Sequence, residues 1–161
     1  MSVRATLMVG HPGERDGDFD ALLEFVRAGG IEHAGIFQYS REEGTAAAAL
    51  PESEHVPPAR AAARRARLAF AQLGVVRARH RRLVGARARV VVDAVPGGDE
   101  PPRARLVSQA PDDADGVVLV RAVPPKLAAR LAPGRVFAAR ITGYDDYDLH
   151  AELLEEVDSW L

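Results

Sequence analysis

The 161-residue sequence contains no cysteine. A disulfide scaffold, a thiolate zinc site and a cysteine-ligated iron–sulfur cluster are therefore excluded from this chain's own residues. Lysine is almost missing too: of 21 basic residues only Lys126 is a lysine. With alanine abundant, that bias reads as GC-rich coding, which discounts the Ala/Arg-rich run at 59–82 as a functional signal. Aromatic residues make up 6% of the chain, and in the arginine run at 60–83 Phe70 stands alone, so base stacking is poorly served there. No run approaches the ~20 consecutive apolar residues of a membrane span. The opening decapeptide lacks the charged region, apolar core and cleavage site of a signal peptide, so a cytoplasmic protein with no membrane partner is expected. His11, His33, His55, His80 and His150 form no i,i+4 pair and have no glutamate at metal-ligand spacing. No metal site is expected, and there is no Gly-x-Ser-x-Gly elbow to supply a catalytic serine.

What is present is a globular composition, 47% hydrophobic, long enough for one domain or two small ones. The net charge of -2 hides a segregation. Residues 1–59 carry 4 basic and 10 acidic residues, residues 60–83 carry 8 arginines and no acid, and residues 84–161 carry 9 basic and 13 acidic residues. A basic middle between two acidic parts predicts a first unit at 1–56, a linker at 57–83, a second unit at 84–153 and a tail at 154–161.

Residues 5–9 form a near-continuous apolar run, as in a strand of a parallel sheet buried on both faces. The run stops at Gly10-His11-Pro12-Gly13. Asp16 or Asp18 can cap the following helix, whose Phe19, Leu22, Leu23 and Val26 follow i, i+3, i+4, i+7 spacing. Gly29-Gly30 supplies a left-handed stop, and a second strand follows at 34–39. Two such strands do not make a stable sheet, so residues 3–9 are expected to be unpaired on one edge and unusually exposed. Residues 40–56 read as a loop, and Pro57-Pro58 opens a helix to about Arg82 with Leu68, Ala71, Val75 and Val76 as its apolar stripe. Five short strands follow, at 88–95, 103–108, 116–122, 135–142 and about 147–153, with a helical turn in the last ten residues. The fold class expected is α+β: strand–helix–strand, a linker helix, then a five-stranded antiparallel OB-like barrel. Val90, Val92, Val118, Val120, Val136 and Ile141 are its expected inward residues.

Three places could carry chemistry. The loop Gly10, His11, Pro12, Gly13, Glu14 ends a parallel strand, where backbone donors meet ligands, although an ordinary strand–helix turn uses the same residues. Gly10 is expected at the same end of the sheet as Ser40. Arg60, Arg64 and Arg67 share one helix face and Arg77, Arg81 and Arg82 another patch. Either could track an RNA backbone, or pack the helix against the acidic first part. Asp145, Asp146 and Asp148 cluster at the last strand. Exposed together with Asp112, Asp113 or Asp115, they would make an acidic surface suited to a basic protein.

These segments also resemble a known family. Val9-Gly10-His11-Pro12-Gly13-Glu14 resembles the VGFPGE segment of radical S-adenosylmethionine methylthiotransferases, with His11 where Phe is usual. Tyr39-Ser40-Arg41-Glu42-Glu43-Gly44-Thr45 is similar to their YSxEEGT, and Leu50-Pro51 with the arginine helix to their connector. Ala110-Pro111-Asp112-Asp113-Ala114-Asp115-Gly116-Val117-Val118 resembles the APEIDGVV of their TRAM domain, and Asp145-Asp146-Tyr147-Asp148-Leu149 their closing DDYDL. The EEGT loop and DDYDL ending resemble the RimO-type branch, which methylthiolates an aspartate of ribosomal protein uS12. The resemblance implies the end of a radical-enzyme α/β barrel, a linker and a TRAM barrel. It also implies S-adenosylmethionine beside residues 10–14, uS12 held by Asp145, Asp146 and Asp148, and two 4Fe-4S clusters in the full-length family. The cluster cysteines are absent here, so this chain alone is expected to bind neither cofactor stably and to carry no catalytic residue. A stand-alone RNA-binding TRAM module, for tRNA, or an inactive product are the alternatives.

Overall fold

A computed structural model describes residues 3–110 and 115–157. The elements are β1 (Arg4–Val9), α1 (Asp16–Arg27), β2 (His33–Gln38), a 3-10 turn (Glu52–Glu54), α2 (Pro58–Leu83), β3 (Arg87–Ala94), β4 (Arg103–Leu106), β5 (Val118–Ala122), α3 (Pro125–Ala128), β6 (Val136–Asp145) and β7 (Asp148–Glu156). The chain divides into two compact units, with the boundary inside α2 between Val75 and Val76.

In the first unit β1 and β2 pair in parallel, from Arg4 opposite His33 to Val9 opposite Gln38. Neither predicted cap is the N-cap of α1, which is Arg15. Asp18 acts instead from the third helical position, accepting from Arg15 N–H at 2.9 Å. Gly29, at φ 75°, turns the chain out of the helix as expected. Val9, Phe19, Leu23, Val26 and Leu68 form the core, with Leu7, Leu22, Ile36 and Ala71 against it. The strands are buried on one face only. On the other face Met8 and Phe37, opposite each other in register, are 52% and 56% exposed; Val3, just before β1, is 40% exposed. Among the described residues β1 pairs only with β2, so the open edge and exposed strand expected for residues 3–9 are found.

In the second unit the strands close into a barrel in the order β3-β4-β5-β7-β6. The expected all-antiparallel barrel is corrected: β5 and β7 run parallel, with Val118 opposite Leu149. The reason is geometric. Around a closed ring antiparallel neighbours must alternate in direction, and an odd number of strands cannot alternate all the way round. The connection through α3 and β6 carries β7 back beside β5 as that parallel pair requires. Val90, Val92, Val118, Val120 and Ile141 point inward as expected, joined by Ala104, Leu106, Phe137, Ala139, Leu149, Ala151 and Leu153. Val136 does not. It lies five residues from Ile141, on the opposite parity of β6, and sits across from Val91 outside the barrel core. The helical turn expected in the last ten residues is, through Glu156, part of β7, whose Leu153 packs into the barrel core. Residues 158–161 lie outside the described residues.

Candidate functional site

Gly10 stands at the carboxyl end of β1, at the same sheet end as Ser40, because Val9 is opposite Gln38. Tyr39 N–H donates to Val9 O at 2.9 Å there. Three of the loop's backbone donors, however, are already engaged. Gly10 N–H donates to Glu14 Oε2 at 2.8 Å, Gly13 N–H to Glu54 O at 2.8 Å and Glu14 N–H to His11 O at 3.0 Å. Gly10, at φ 78°, has a packing role as well: a Cβ there would lie 2.5 Å from Ala61 Cβ of α2. Exposed His11 lies edge-on to Tyr39 at 5.3 Å between ring centroids. Pro12 is buried. Beyond Tyr39, Arg41 donates to Glu52 and to Ala48 O, and Thr45 Oγ1 donates to Glu42 O. A shallow cavity of ≈ 620 Å³ lies there, lined by Arg41, Glu43, Gly44, Thr45 and neighbouring alanines.

One arginine of α2 is buried and two others meet carboxylates. Arg64, 3% exposed, bridges Glu14 Oε1 and Asp16 Oδ1, both at 2.5 Å. Its guanidinium carbon also lies 5.4 Å from the Phe19 ring centroid, and that of Arg67 lies 4.8 Å away. Burial works to lower the Arg64 pKa, but the hydrogen bonds to Asp16 and Glu14 outweigh it and hold the group charged. The same hydrogen bond from Arg64, with the charge of Arg60, holds the Asp16 carboxyl below the usual aspartate value. Arg67 approaches Asp20 at 3.7 Å, and Arg65 donates to Ile36 O. Arg77 pairs with Asp146. Arg64, Arg67 and Arg77 thus meet acids, Arg64 alone of them being buried, while Arg60, Arg65, Arg81 and Arg82 are exposed.

In the second unit the β6–β7 hairpin carries the three aspartates. Asp145 is exposed and its Oδ2 is 3.0 Å from His150 Nε2. Asp146, the single non-glycine residue at positive φ among those described, occupies the turn and holds Arg77. Asp148 is half-buried rather than exposed: its Oδ1 accepts Val117 N–H at 3.0 Å. Asp115 is 3% exposed and accepts Ala110 N–H, so it lends no surface charge either. Asp112 and Asp113 lie outside the described residues. The acidic surface is thereby reduced, among described residues, to Asp145 and Asp146.

A network missed in the sequence holds this end together. Gln109, 7% exposed, accepts Leu106 N–H at 2.7 Å and donates to Asp115 O at 3.1 Å. Gly116 passes so close to the hairpin that a Cβ would lie 2.0 Å from Tyr147 O. Positive φ and this close approach both demand glycine. The Gly in Asp-Gly was visible as a turn signal, but its contact partner was not. Among the described residues no group of three or more His, Asp or Glu side chains could hold a metal ion. No helix among them is long and apolar enough to cross a membrane.

Residues 84–154 match the family model of the TRAM domain. Over 154 residues the chain is 43% identical to the ribosomal protein uS12 methylthiotransferase RimO of Desulforudis audaxviator (strain MP104C), covering 96% of this chain and 32% of the relative. It is 41% identical to the protein of the same name from Syntrophobacter fumaroxidans (strain DSM 10017 / MPOB), over 96% of this chain and 33% of the relative. It is also 41% identical to that of Symbiobacterium thermophilum (strain DSM 24528 / JCM 14929 / IAM 14863 / T), over 95% and 30%. The chain thus spans about a third of the length of these curated relatives.

Proposed function

We propose, from the premise that this chain belongs with the C-terminal, TRAM-bearing part of the RimO-type methylthiotransferases, that it holds ribosomal protein uS12 for methylthiolation of an aspartate by the complete enzyme. The observation that carries this reading is the identity to RimO proteins across nearly the whole chain, both units included. In it, β1, α1 and β2 are the end of the radical-enzyme barrel. Their open edges and the bare Met8–Phe37 face are what two strands of a larger parallel sheet would present.

The cofactors of the family fit this chain poorly. A cysteine-free chain offers no thiolate to a 4Fe-4S cluster. The N–H groups of Gly10, Gly13 and Glu14 are consumed within the chain and Pro12 has none, so the loop has at most the backbone N–H of His11 to offer S-adenosylmethionine. The loop's part at that edge is to shape it, with the exposed imidazole of His11 as the group presented. No catalytic step is assigned to any residue here.

The substrate side rests on Asp145 and Asp146, whose side chains are 78% and 58% exposed despite their contacts with His150 and Arg77. Each carboxylate keeps open positions for the arginines and lysines of a basic ribosomal protein. The test is titration of the chain with purified uS12 at low salt and at physiological salt, where the screening length is about 8 Å. Affinity should fall as salt rises, and Asp145→Asn with Asp146→Asn should weaken it about tenfold with the fold intact. Unchanged binding by the double variant would overturn the role given to the hairpin.

A further inference from the structure

Asp145 and Asp146 are both exposed, but they differ in occupancy. Asp145 meets a histidine, His150, whereas Asp146 already holds an arginine of its own chain. Arg77 places Nε, at 3.1 Å, and Nη2 on one and the same oxygen of Asp146, Oδ1. A guanidinium from another protein needs both carboxylate oxygens for a bidentate fork, and Arg77 has taken one of them.

The pair is not needed to hold either element in place. On the hairpin side, Asp145 is opposite Asp148 across a two-residue turn. Asp148 accepts Val117 N–H at 3.0 Å, and Gly116 lies hard against Tyr147 O. On the helix side, Val76 and His80 flank Arg77 and are 1% and 2% exposed. The His80 ring stands edge-on to Tyr144 at 5.8 Å, and Leu83 packs against the barrel core. Between these anchors the side chains of Arg77 and Asp146 are each about half exposed. An ion pair so exposed changes an equilibrium by a factor of only about 2 to 5.

The turn does not require an aspartate either. Asp146 has φ 44°, a left-handed conformation that glycine or asparagine would take as readily. Asparagine would also accept the Arg77 N–H groups. What the carboxylate adds is charge, and in this chain that charge is spent on a guanidinium.

We propose that Arg77 is an internal competitor for a partner's arginines: it occupies Asp146 in the free chain and yields that carboxylate when an arginine-rich protein docks on the hairpin. The identity of that protein as uS12 rests on the function proposed above; the competition does not. The exchange replaces one guanidinium by another, so it costs least for a partner that brings a matching fork. A lysine ammonium, a point charge without a fork, gains less by displacing Arg77.

The probes are a fluorescein-labelled nona-arginine peptide and purified uS12, each titrated against the full chain by anisotropy at low salt. Arg77→Ala should bind both about threefold more tightly than wild type. Arg87→Ala removes the same charge from another exposed pair of this unit, with Glu155, and should leave both affinities nearly as they were. In an Asp146→Asn background Arg77→Ala should have no further effect, the non-additivity that marks a shared carboxylate. Arg77→Gln, closer in length, serves where alanine disturbs the end of α2. In wild type, the Nε–H NMR signal of Arg77, identified by its loss in these variants, should move toward that of a solvated arginine at saturation with the peptide.

Equal or weaker binding by both Arg77 variants overturns the proposal and makes Arg77 a support for the hairpin. So does an equal gain in Arg87→Ala, which would reflect the general field of the chain. An undiminished gain in the Asp146→Asn background, an Arg77 signal that stays in place, or no peptide binding even by Arg77→Ala overturns it as well. If the peptide behaves as stated and uS12 does not bind, the uS12 reading falls and the competition stands. If uS12 binds through the hairpin and the Arg77 variants gain nothing, the competition falls and the uS12 reading stands.

Discussion

The two units solve the problem of the sheet edge in opposite ways. The barrel has five strands, each paired on both sides, and its core residues are almost wholly enclosed. The first unit has two strands, each paired on one side, with helices on one face and solvent on the other. The two cores share no residue. Closure removes edges and allows burial to be complete, whereas a two-stranded sheet relies on what its helices can anchor. In the first unit that anchoring is electrostatic as much as apolar: Arg64 ties α2 to the β1–α1 loop through Glu14 and to the start of α1 through Asp16.

The barrel should be the more brittle unit toward a local steric insult, because closure leaves nowhere to move. Gly116→Ala places a methyl group against Tyr147 O in a left-handed conformation. A loss of about 3 kcal/mol or more is expected, read from the denaturant midpoint. Hydrogen exchange should show the loss in β5 and β7. A variant with wild-type protection there would mean that the hairpin gives way freely and that ring closure does not stiffen it.

The counterpart in the first unit is Arg64→Met. It keeps much of the side-chain volume but leaves Glu14, 12% exposed, without its cationic partner. Breaking a buried pair on one side costs about 3 kcal/mol. Exchange protection in β1 and β2 should fall while that of the barrel stays. An unchanged stability would show that apolar packing alone holds the first unit.

How much of this contrast could be read beforehand depends on distance in the chain. Helix and strand spans followed from local pattern, since Pro57-Pro58, Gly29-Gly30 and the turn clusters act within a few residues. Arg60, Arg64 and Arg67 were legible as one helix face, but nothing local reveals that Glu14 and Asp16, some fifty residues earlier, meet Arg64. The same holds for Gly10, whose glycine is fixed by Ala61, and for Gly116, fixed by Tyr147. Asp148 and Asp115 looked like surface charge because a sequence does not show which backbone N–H groups lack partners. Val136 was a parity error on one strand, and the parallel pair follows from the number five.

A smaller effect comes from acid. Asp16 has its pKa lowered from 3.8, first by the hydrogen bond from Arg64. A depressed carboxylate lends stability that is present above its unfolded value and lost as pH falls through its folded one. Stability of the first unit should therefore fall below about pH 4, and Asp16→Asn should flatten that fall. A profile unaltered by Asp16→Asn would mean that Glu14 alone carries the interaction with Arg64.

The smallest effect is expected where the eye meets the largest apolar side chains. Met8 and Phe37 lie opposite each other on the bare face of the first unit, each more than half exposed. Apolar side chains left in water contribute little burial energy, and surface substitutions of this kind usually change stability by less than about 0.5 kcal/mol. Met8→Ser with Phe37→Ser should accordingly leave the unfolding midpoint of this chain in place, while reducing binding of a hydrophobic dye. Gly35 sharpens the test, because a Cβ there would sit 3.2 Å from the Phe37 ring, so the ring already leans over its neighbour. If the serine pair lowers stability by more than about 1 kcal/mol, the ring is packing against the sheet rather than awaiting cover. If stability holds and the dye signal falls, the face is bare in this chain and its two large apolar side chains contribute nothing to holding the first unit together.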